Sequence, residues 1–214
     1  MDVNVPYYDV HTHRLSATDD EVIIQNVDSK ELFSTVCYSS VGIHPWKAND
    51  LQSAELLSLA NEKSVLAIGE CGLDKVCTTP MSLQKNVFEK QIQLANQLKK
   101  PLIIHCVKAH EEVLSCLKKM ENTQEVVFHG FNKNAFWMNR LVDEGYYLSV
   151  GKALRNETFR TVFKEIPLER LFLETDDSEQ SIQENYLLAS ELLKVSELEL
   201  KNQIALNFAQ VFDL

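Results

Sequence analysis

Eight short apolar runs, separated by longer amphipathic stretches, are the feature that most constrains the fold of this 214-residue chain. The runs are rich in Val, Ile, Tyr and Phe, as buried strands are. Strands that alternate with helices form parallel sheets, and eight of them predict a closed β/α barrel of the TIM type. The runs are YYDV (7–10), EVII (21–24), YSSVGI (38–43), VLAIG (65–69), PLII (101–104), EVVF (125–128), YYLSV (146–150) and RLFLE (170–174).

Four amphipathic stretches in the second half of the pattern are predicted helices. Residues 83–100 place Phe88, Ile92 and Ala95 on one stripe, and they end before Pro101, which a helix interior does not tolerate. The others are 110–120, then 134–144 with Gly145 as its C-terminal cap, and 196–212, which opens with a capping-box pattern at Ser196 and Glu199.

The first two connections are too short for ordinary crossover helices. About seven residues lie between His13 and Glu21, and fully extended they span roughly 23 Å, whereas a short strand is about 17–20 Å long. The next connection, around residues 28–35, has room for a turn or two of helix. We therefore predict a single domain, residues 1–214, that forms a short version of the barrel with its first one or two outer helices missing or vestigial.

The composition limits the expected location and partners. A formal net charge of -10 disfavours an extended nucleic-acid surface, because such surfaces are basic. The first residues lack a signal-peptide pattern, and no apolar run is as long as a membrane span. The five cysteines are odd in number and form no CxxC pair, which indicates free thiols in a reducing compartment. We expect a cytoplasmic monomer without membrane contacts.

Ligand-type residues follow six of the eight runs. In a barrel the ends of the strands meet on one face, where active sites lie, so these residues are expected to converge. Imidazoles bind borderline divalent ions, and carboxylates add charge and bind harder ones. Four histidines and two carboxylates of this set exceed what one catalytic ion needs and fit two ions that share a carboxylate. Its members are His11, His13, His44, Glu70, His105, His129, Glu174 and Asp176.

The order of the motifs around these residues resembles that of the TatD-like metal-dependent hydrolases, within the amidohydrolase-type barrel superfamily. The resemblance covers nearly the whole chain. An HxH pair alone is a weak signal, but the complete series in this order is specific. The motifs are DVHTH (9–13), VGIHPW (41–46), AIGECGLD (67–74), PLIIHCVKAH (101–110), VVFHGFNK (126–133) and LERLFLETD (168–176).

The resemblance implies a two-metal hydrolase, usually a phosphodiesterase or deoxyribonuclease, with a DNA end or a small phosphodiester as substrate. Asp176 would accept a proton from the attacking water, so Asp176 and Glu70 are the predicted catalytic residues. The residue types leave the metal open among Zn, Mn, Mg, Fe, Co and Ni. The implied ligands of the two divalent ions are His11, His13 and Asp176 for one, His105 and His129 for the other, and Glu70 as the bridge.

Two segments of the sequence depart from the family pattern at positions that are expected to affect substrate binding. Cys106-Val107-Lys108 follows His105, where many members have Ser-Arg, and Asp177-Ser178 stands where Ala-Pro is usual. An arginine could grip a phosphate with two parallel bonds, whereas Lys108 would offer a point charge. The predicted substrate-binding residues are His44, as a residue lining the pocket, and Lys108.

Several nearby residues have two interpretations. Trp46 is either a stacking surface for a base or ring, or a packing residue. Asp74 either hydrogen-bonds a ligand histidine or serves a turn. His110 is predicted on a helix and exposed to solvent. Lys152 and Arg155 are predicted to be exposed charges.

Two other functions stay open at this point. One is hydrolysis of another small-molecule ester or amide on the same barrel. Many relatives of that kind bridge their metals with a carboxylated lysine, so Glu70 in that place disfavours it. The other is a non-catalytic scaffold that a metal stabilises.

Overall fold

Eight parallel strands follow the eight apolar runs of the sequence. The structure is a computed structural model that describes residues 5–27, 38–48 and 58–213. The strands are arranged in chain order, β1 to β8, and the recorded pairings are parallel. They are β1 (Tyr7–Thr12), β2 (Glu21–Val27), β3 (Tyr38–Val41), β4 (Val65–Asp74), β5 (Leu102–Val107), β6 (Val126–Phe128), β7 (Tyr147–Val150) and β8 (Leu171–Leu173).

Six α-helices lie entirely within the residues that the structure describes, and the four predicted ones are among them. The two that were not predicted, α4 and α5, are short or mostly apolar, so their sequences show little helical periodicity. No helix of the described residues is long and apolar enough to cross a membrane. The helices are α1 (Met81–Leu98), α2 (His110–Lys119), α3 (Ala135–Asp143), α4 (Glu157–Phe163), α5 (Ile182–Leu193) and α6 (Glu197–Phe212).

The first connection confirms the prediction of a missing outer helix. Residues 13–20 contain no helix. Instead, the Arg14 guanidinium donates to Asp9 at 3.0 Å and to Glu21 at 3.2 Å, which ties the two ends of the connection to each other. Glu21 also accepts a hydrogen bond from the Thr18 backbone. Ion pairs on a short loop thus replace a helix here. The second short connection, around residues 28–35, lies outside the described residues.

The described residues form two compact units. The single domain predicted for residues 1–214 stays a prediction. The first unit is Met1–Gln25 with His129–Leu214. Its helix α5 is fixed to β1 by the buried Tyr186 hydroxyl, which bonds both the amide and the carbonyl of Tyr8. This helix begins with a capping box in which Ser181 and Glu184 form both of the expected hydrogen bonds. At the next helix, Ser196 accepts from the Glu199 amide, as its sequence predicts.

The second unit, Asn26–Phe128, is organised by two buried glutamines of helix α1. The Gln91 amide group bonds both the N–H and the carbonyl of Ile43, at 2.7 and 3.1 Å. The Gln84 amide group does the same for Asp74, at 2.8 and 2.9 Å. A buried backbone group without a partner is costly. The two glutamines therefore hold the chain just past β3 and at the end of β4.

Candidate metal centre

In the first unit, one carboxylate oxygen faces two histidines of the DVHTH segment. Asp176 Oδ1 lies 3.5 Å from His11 Nε2 and 3.5 Å from His13 Nε2. The His129 ring is close by, with its centroid 4.2 Å from that of His11. The ligand atoms of His11, His129 and Asp176 all lie within 4.8 Å of one another. The unit thus brings together four of the six predicted metal ligands.

Backbone hydrogen bonds hold Asp176 against the end of β1. The Asp176 amide donates to the His11 carbonyl at 2.9 Å, and the Asp176 carbonyl accepts from the His13 amide at 3.1 Å. Asp176 itself has φ of 53°, a conformation that few residues other than glycine adopt. The two bonds fix this turn, so the backbone places the carboxylate beside the two histidines.

A buried network behind the ligands strengthens this arrangement. Asp9 accepts from the Thr175 amide at 3.0 Å and from the Thr175 hydroxyl at 2.6 Å, and Arg14 also donates to it. Burial raises the pKa of Asp9 to about 7, although the bonds from Thr175 and the charge of Arg14 oppose the shift. Asp9 precedes His11 by two residues and Thr175 precedes Asp176 by one, so the network links both ligand-bearing segments.

Glu174 is a buried residue near His129, and it belongs to the ligand-type residues that the sequence places after the strands, although the family resemblance does not include it among the metal ligands. Its Oε1 atom accepts from the Gly130 amide at 2.7 Å and lies 3.7 Å from His129 Nδ1. The backbone around it is crowded, since a Cβ on Gly151 would lie 2.6 Å from the Glu174 carbonyl oxygen. A carboxylate beside a ligand histidine orients its ring. The signal was its place directly after β8, two residues before Asp176.

In the second unit, Glu70 stands between two histidines in the same way. Glu70 Oε1 lies 2.7 Å from His105 Nδ1 and 3.3 Å from His44 Nε2, and the ligand atoms of all three residues lie within 4.8 Å of one another. Glu70 is buried, and its amide donates to the Asn26 side chain at 2.8 Å. Gly72 lets β4 and β5 approach here, because its φ is 137° and a Cβ would collide with the His105 carbonyl.

His44 lies among these ligand-type residues rather than merely lining the pocket. Its Nδ1 atom accepts from the Trp46 amide at 3.2 Å, which leaves Nε2 directed at Glu70. The sequence predicted substrate binding for this residue. The signal for a closer role was present, since His44 follows β3 as His105 follows β5. The predicted role in substrate binding stays a prediction.

Asp74 supports the His105 side of this group and also serves a turn. Its Oδ2 atom lies 3.4 Å from His105 Nε2 and accepts from the Trp46 indole at 2.7 Å. Its Oδ1 atom accepts from the Val76 amide at 2.7 Å. Burial opposes these effects, yet the bonds from Trp46, Val76 and His105 hold the pKa of Asp74 below its ordinary value. Both interpretations of Asp74 therefore apply.

The spacing of the side chains fits divalent cations. Two ligands that are each about 2.0–2.1 Å from one tetrahedral ion lie about 3.3–3.4 Å apart. The 3.5 Å separations at Asp176 and the 3.3 Å separation at His44 match this value. The 2.7 Å contact of His105 with Glu70 has the length of a hydrogen bond instead. Nitrogen and carboxylate donors suit borderline divalent metals.

The remaining predicted residues have varied positions. Lys108 is exposed just past β5, with φ of 52°. His110 does begin helix α2, but its predicted exposure is wrong, because it is buried and its ring stacks on Phe128 with an interplanar angle of 9°. Lys152 is exposed, whereas Arg155 is half-buried and donates to Asn185 at 2.7 Å. The four cysteines that the structure describes are free thiols, as predicted.

Comparison with known proteins identifies a family and several relatives that match much of this chain. The family model described as TatD related DNase matches residues 9–213. The 3'-5' ssDNA/RNA exonuclease TatD of Salmonella typhimurium is 33% identical over 150 residues, which cover 65% of this chain and 57% of that protein. The protein of the same description from Edwardsiella piscicida is 31% identical over 156 residues, which cover 68% of this chain and 60% of that protein. The chain thus spans about three fifths of the length of these relatives.

The solved structure of YJJV, a TatD homolog from Escherichia coli K12, has the same fold. It is 23% identical to this chain, with a TM-score of 0.84, and the match covers 99% of this chain and 100% of that one. This likeness confirms the predicted α/β barrel of the TIM type. With a family match from Asp9 to Asp213 and the series of ligand-type residues in place, the chain belongs to the TatD related DNase family.

Proposed function

We propose that this protein is a divalent-metal-dependent hydrolase that cleaves phosphodiester bonds, with nuclease action on DNA ends or small phosphodiesters. One observation carries the proposal: in each unit a carboxylate oxygen lies within 3.5 Å of two imidazole nitrogens, which is a ligand arrangement without an evident structural purpose. The exonuclease descriptions of the relatives support the choice of phosphodiesters.

Two divalent ions are proposed, with the ligands that the family resemblance implies. His11, His13 and Asp176 serve one ion, His105 and His129 the other, and Glu70 bridges them. When bound, such ions activate a water and stabilise the attacking and leaving oxygens of a displacement. Asp176 is the proton acceptor, because its carboxylate is one-third exposed and can reach a water, whereas Glu70 is enclosed.

The substrate is held by few contacts of the protein itself. The net charge of -10 opposes a long track of phosphate contacts, so a short end or a small diester fits better than a duplex surface. His44 and Lys108 are the proposed substrate-binding residues, with Lys108 supplying a single positive charge. A cytoplasmic monomer is proposed for the assembly, in keeping with the free thiols.

The test is hydrolysis of end-labelled single-stranded DNA by the purified protein with Mg²⁺, Mn²⁺ or Zn²⁺, beside an EDTA control. Glu70→Gln keeps the shape of the side chain but removes its charge, and we expect it to lower the rate by at least about 100-fold. Glu144→Gln is the matched control, since that exposed residue follows helix α3 away from the ligands.

Metal content, measured on the same preparations, makes each outcome decisive. Metal-dependent cleavage that Glu70→Gln abolishes and Glu144→Gln retains supports the proposal. A protein that carries metal and cleaves no DNA with any ion contradicts it. In that case hydrolysis of another small ester or amide becomes the leading function, and the Lys108 position is the first to examine.

A further inference from the structure

Trp46 is an exposed aromatic residue directly beside the Glu70 ligand group. Its relative exposure is 64%, so the protein cannot cover both faces of the indole. The ring centroid lies 4.9 Å from that of His44 and 6.4 Å from that of His105, edge to face with both. An exposed indole in this position offers an apolar ring face to a molecule bound at the ligand group.

Three hydrogen bonds fix the position of Trp46. Its amide donates to His44 Nδ1 at 3.2 Å, its indole donates to Asp74 at 2.7 Å, and its carbonyl accepts from the Thr79 hydroxyl at 3.2 Å. The residue also lies in a short 3-10 helix that begins at Pro45. A side chain that is already ordered loses little entropy when a ligand contacts it. Trp46 is therefore both exposed and rigid.

A second exposed apolar residue is anchored on the same carboxylate. Val76 is 62% exposed, and its amide donates to Asp74 Oδ1, whereas the indole of Trp46 occupies Asp74 Oδ2. The two oxygens of one buried aspartate thus hold the indole of Trp46 and the backbone of Val76. The same aspartate faces His105, so this apolar surface is tied to the ligand group.

We propose that Trp46 is a stacking platform for a nucleobase next to the scissile phosphate, an inference that rests on the proposed function. Stacking on an aromatic ring is worth about 1–3 kcal/mol per base and tolerates any base sequence. It requires a base that is free of a duplex partner. Because the chain is acidic, phosphate attraction is weak, and an aromatic contact supplies the affinity that charge does not. The favoured substrate is an unpaired nucleotide end.

The experiment compares Trp46→Ala and Trp46→Phe with the unaltered protein on two single-stranded substrates. One substrate carries ordinary bases, and the other lacks the bases at its terminal nucleotides. We expect Trp46→Ala to raise KM for the ordinary substrate about 10-fold or more, with a smaller change in kcat. Trp46→Phe keeps a ring and retains most of the affinity. Phe136→Ala, which removes another aromatic of 62% exposure, is the control and should change neither constant.

The abasic substrate distinguishes stacking of Trp46 on a base from a purely structural role of Trp46. If Trp46 stacks on a base, the unaltered protein and Trp46→Ala bind the abasic substrate equally weakly, so the two losses do not add. Losses that add, or an equal loss for Trp46→Phe and Trp46→Ala, would mean that the indole acts through its bond to Asp74, and this would overturn the platform.

A binding measurement without metal keeps this inference distinct from the proposed function. Oligonucleotide binding in EDTA should quench the fluorescence of Trp46, read as the difference between the unaltered protein and Trp46→Phe, since Trp137 is common to both. Quenching by the ordinary but not the abasic oligonucleotide supports the platform even if no ion yields hydrolysis. No difference between the two oligonucleotides contradicts it even if hydrolysis is found.

Discussion

The two ligand groups of this protein use the same chemistry but are held in different ways. In the first unit, Asp176 is placed by backbone bonds to His11 and His13, and its oxygen is 3.5 Å from both imidazoles. In the second unit, Glu70 is held by a 2.7 Å hydrogen bond of its own side chain to His105. Both contacts of the first group have the spacing of cation ligands, whereas the second group combines one such contact, at His44, with a hydrogen bond at His105.

The two ligand groups also differ in how far their side chains are exposed to solvent. In the Asp176 group, His13 and Asp176 are 45% and 34% exposed although His11 is fully buried, whereas Glu70 and His105 are 7% and 14% exposed. An open group can exchange water and protons with solvent, and an enclosed one is better at holding charge in place. We therefore expect the Asp176 group to exchange protons with solvent more readily than the Glu70 group.

The largest expected effect is at Asp176. Asp176→Asn should lower kcat about 10²- to 10⁴-fold, because a general base contributes on that order. It should leave at least one equivalent of metal bound, since the Glu70 group is intact. Rates and metal content on one preparation check this, with Asp143→Asn, an exposed residue at the end of helix α3, as the control. Loss of all metal would remove the distinction between the two groups.

The next largest expected effect is on the stability of the protein, through residues that support the two ligand groups. Gln91→Leu leaves the buried N–H and carbonyl of Ile43 without their partner, so the free energy of unfolding should fall by about 2–4 kcal/mol. In the first unit, Thr175→Val removes the hydroxyl bonds to Asp9 and Thr12 but keeps the backbone bond to Asp9, and it should cost about 1–2 kcal/mol.

Urea titration measures both values, and Gln93→Leu on the exposed side of helix α1 is the control. That variant should stay within about 0.5 kcal/mol of the unaltered protein. A Gln91→Leu protein as stable as its control would show that helix α1 does not support the His44 segment.

The smallest effect separates two roles for His44. If His44 is a metal ligand beside Glu70, His44→Ala should weaken metal affinity about 10- to 100-fold, which is the range seen when a partner of a ligand is removed. If His44 only contacts the substrate, the same substitution should raise KM and leave metal affinity unchanged. Titration with Co²⁺, followed by absorbance, distinguishes the two, and Lys108→Ala serves as the comparison because it is exposed beyond β5.

Much of the architecture could be read from local patterns. The eight apolar runs became eight strands because Val, Ile, Tyr and Phe bounded by turns suit buried parallel strands. The helixless first connection followed from chain length alone. Helices α4 and α5 were missed, because seven residues around Phe159 carry too little periodicity and the stretch around Tyr186 is apolar on more than one side.

The residue types of the centre were likewise determined by the sequence alone, since ligand-type side chains follow six strands in a fixed order. Only the tertiary structure decided what surrounds them. It buried His110 against Phe128, bonded Thr175 to an aspartate 166 residues away, and turned His44 toward Glu70 through a bond to Trp46. The physical reason is that residue type and spacing act along the chain, whereas burial and hydrogen bonding depend on groups that meet only after folding.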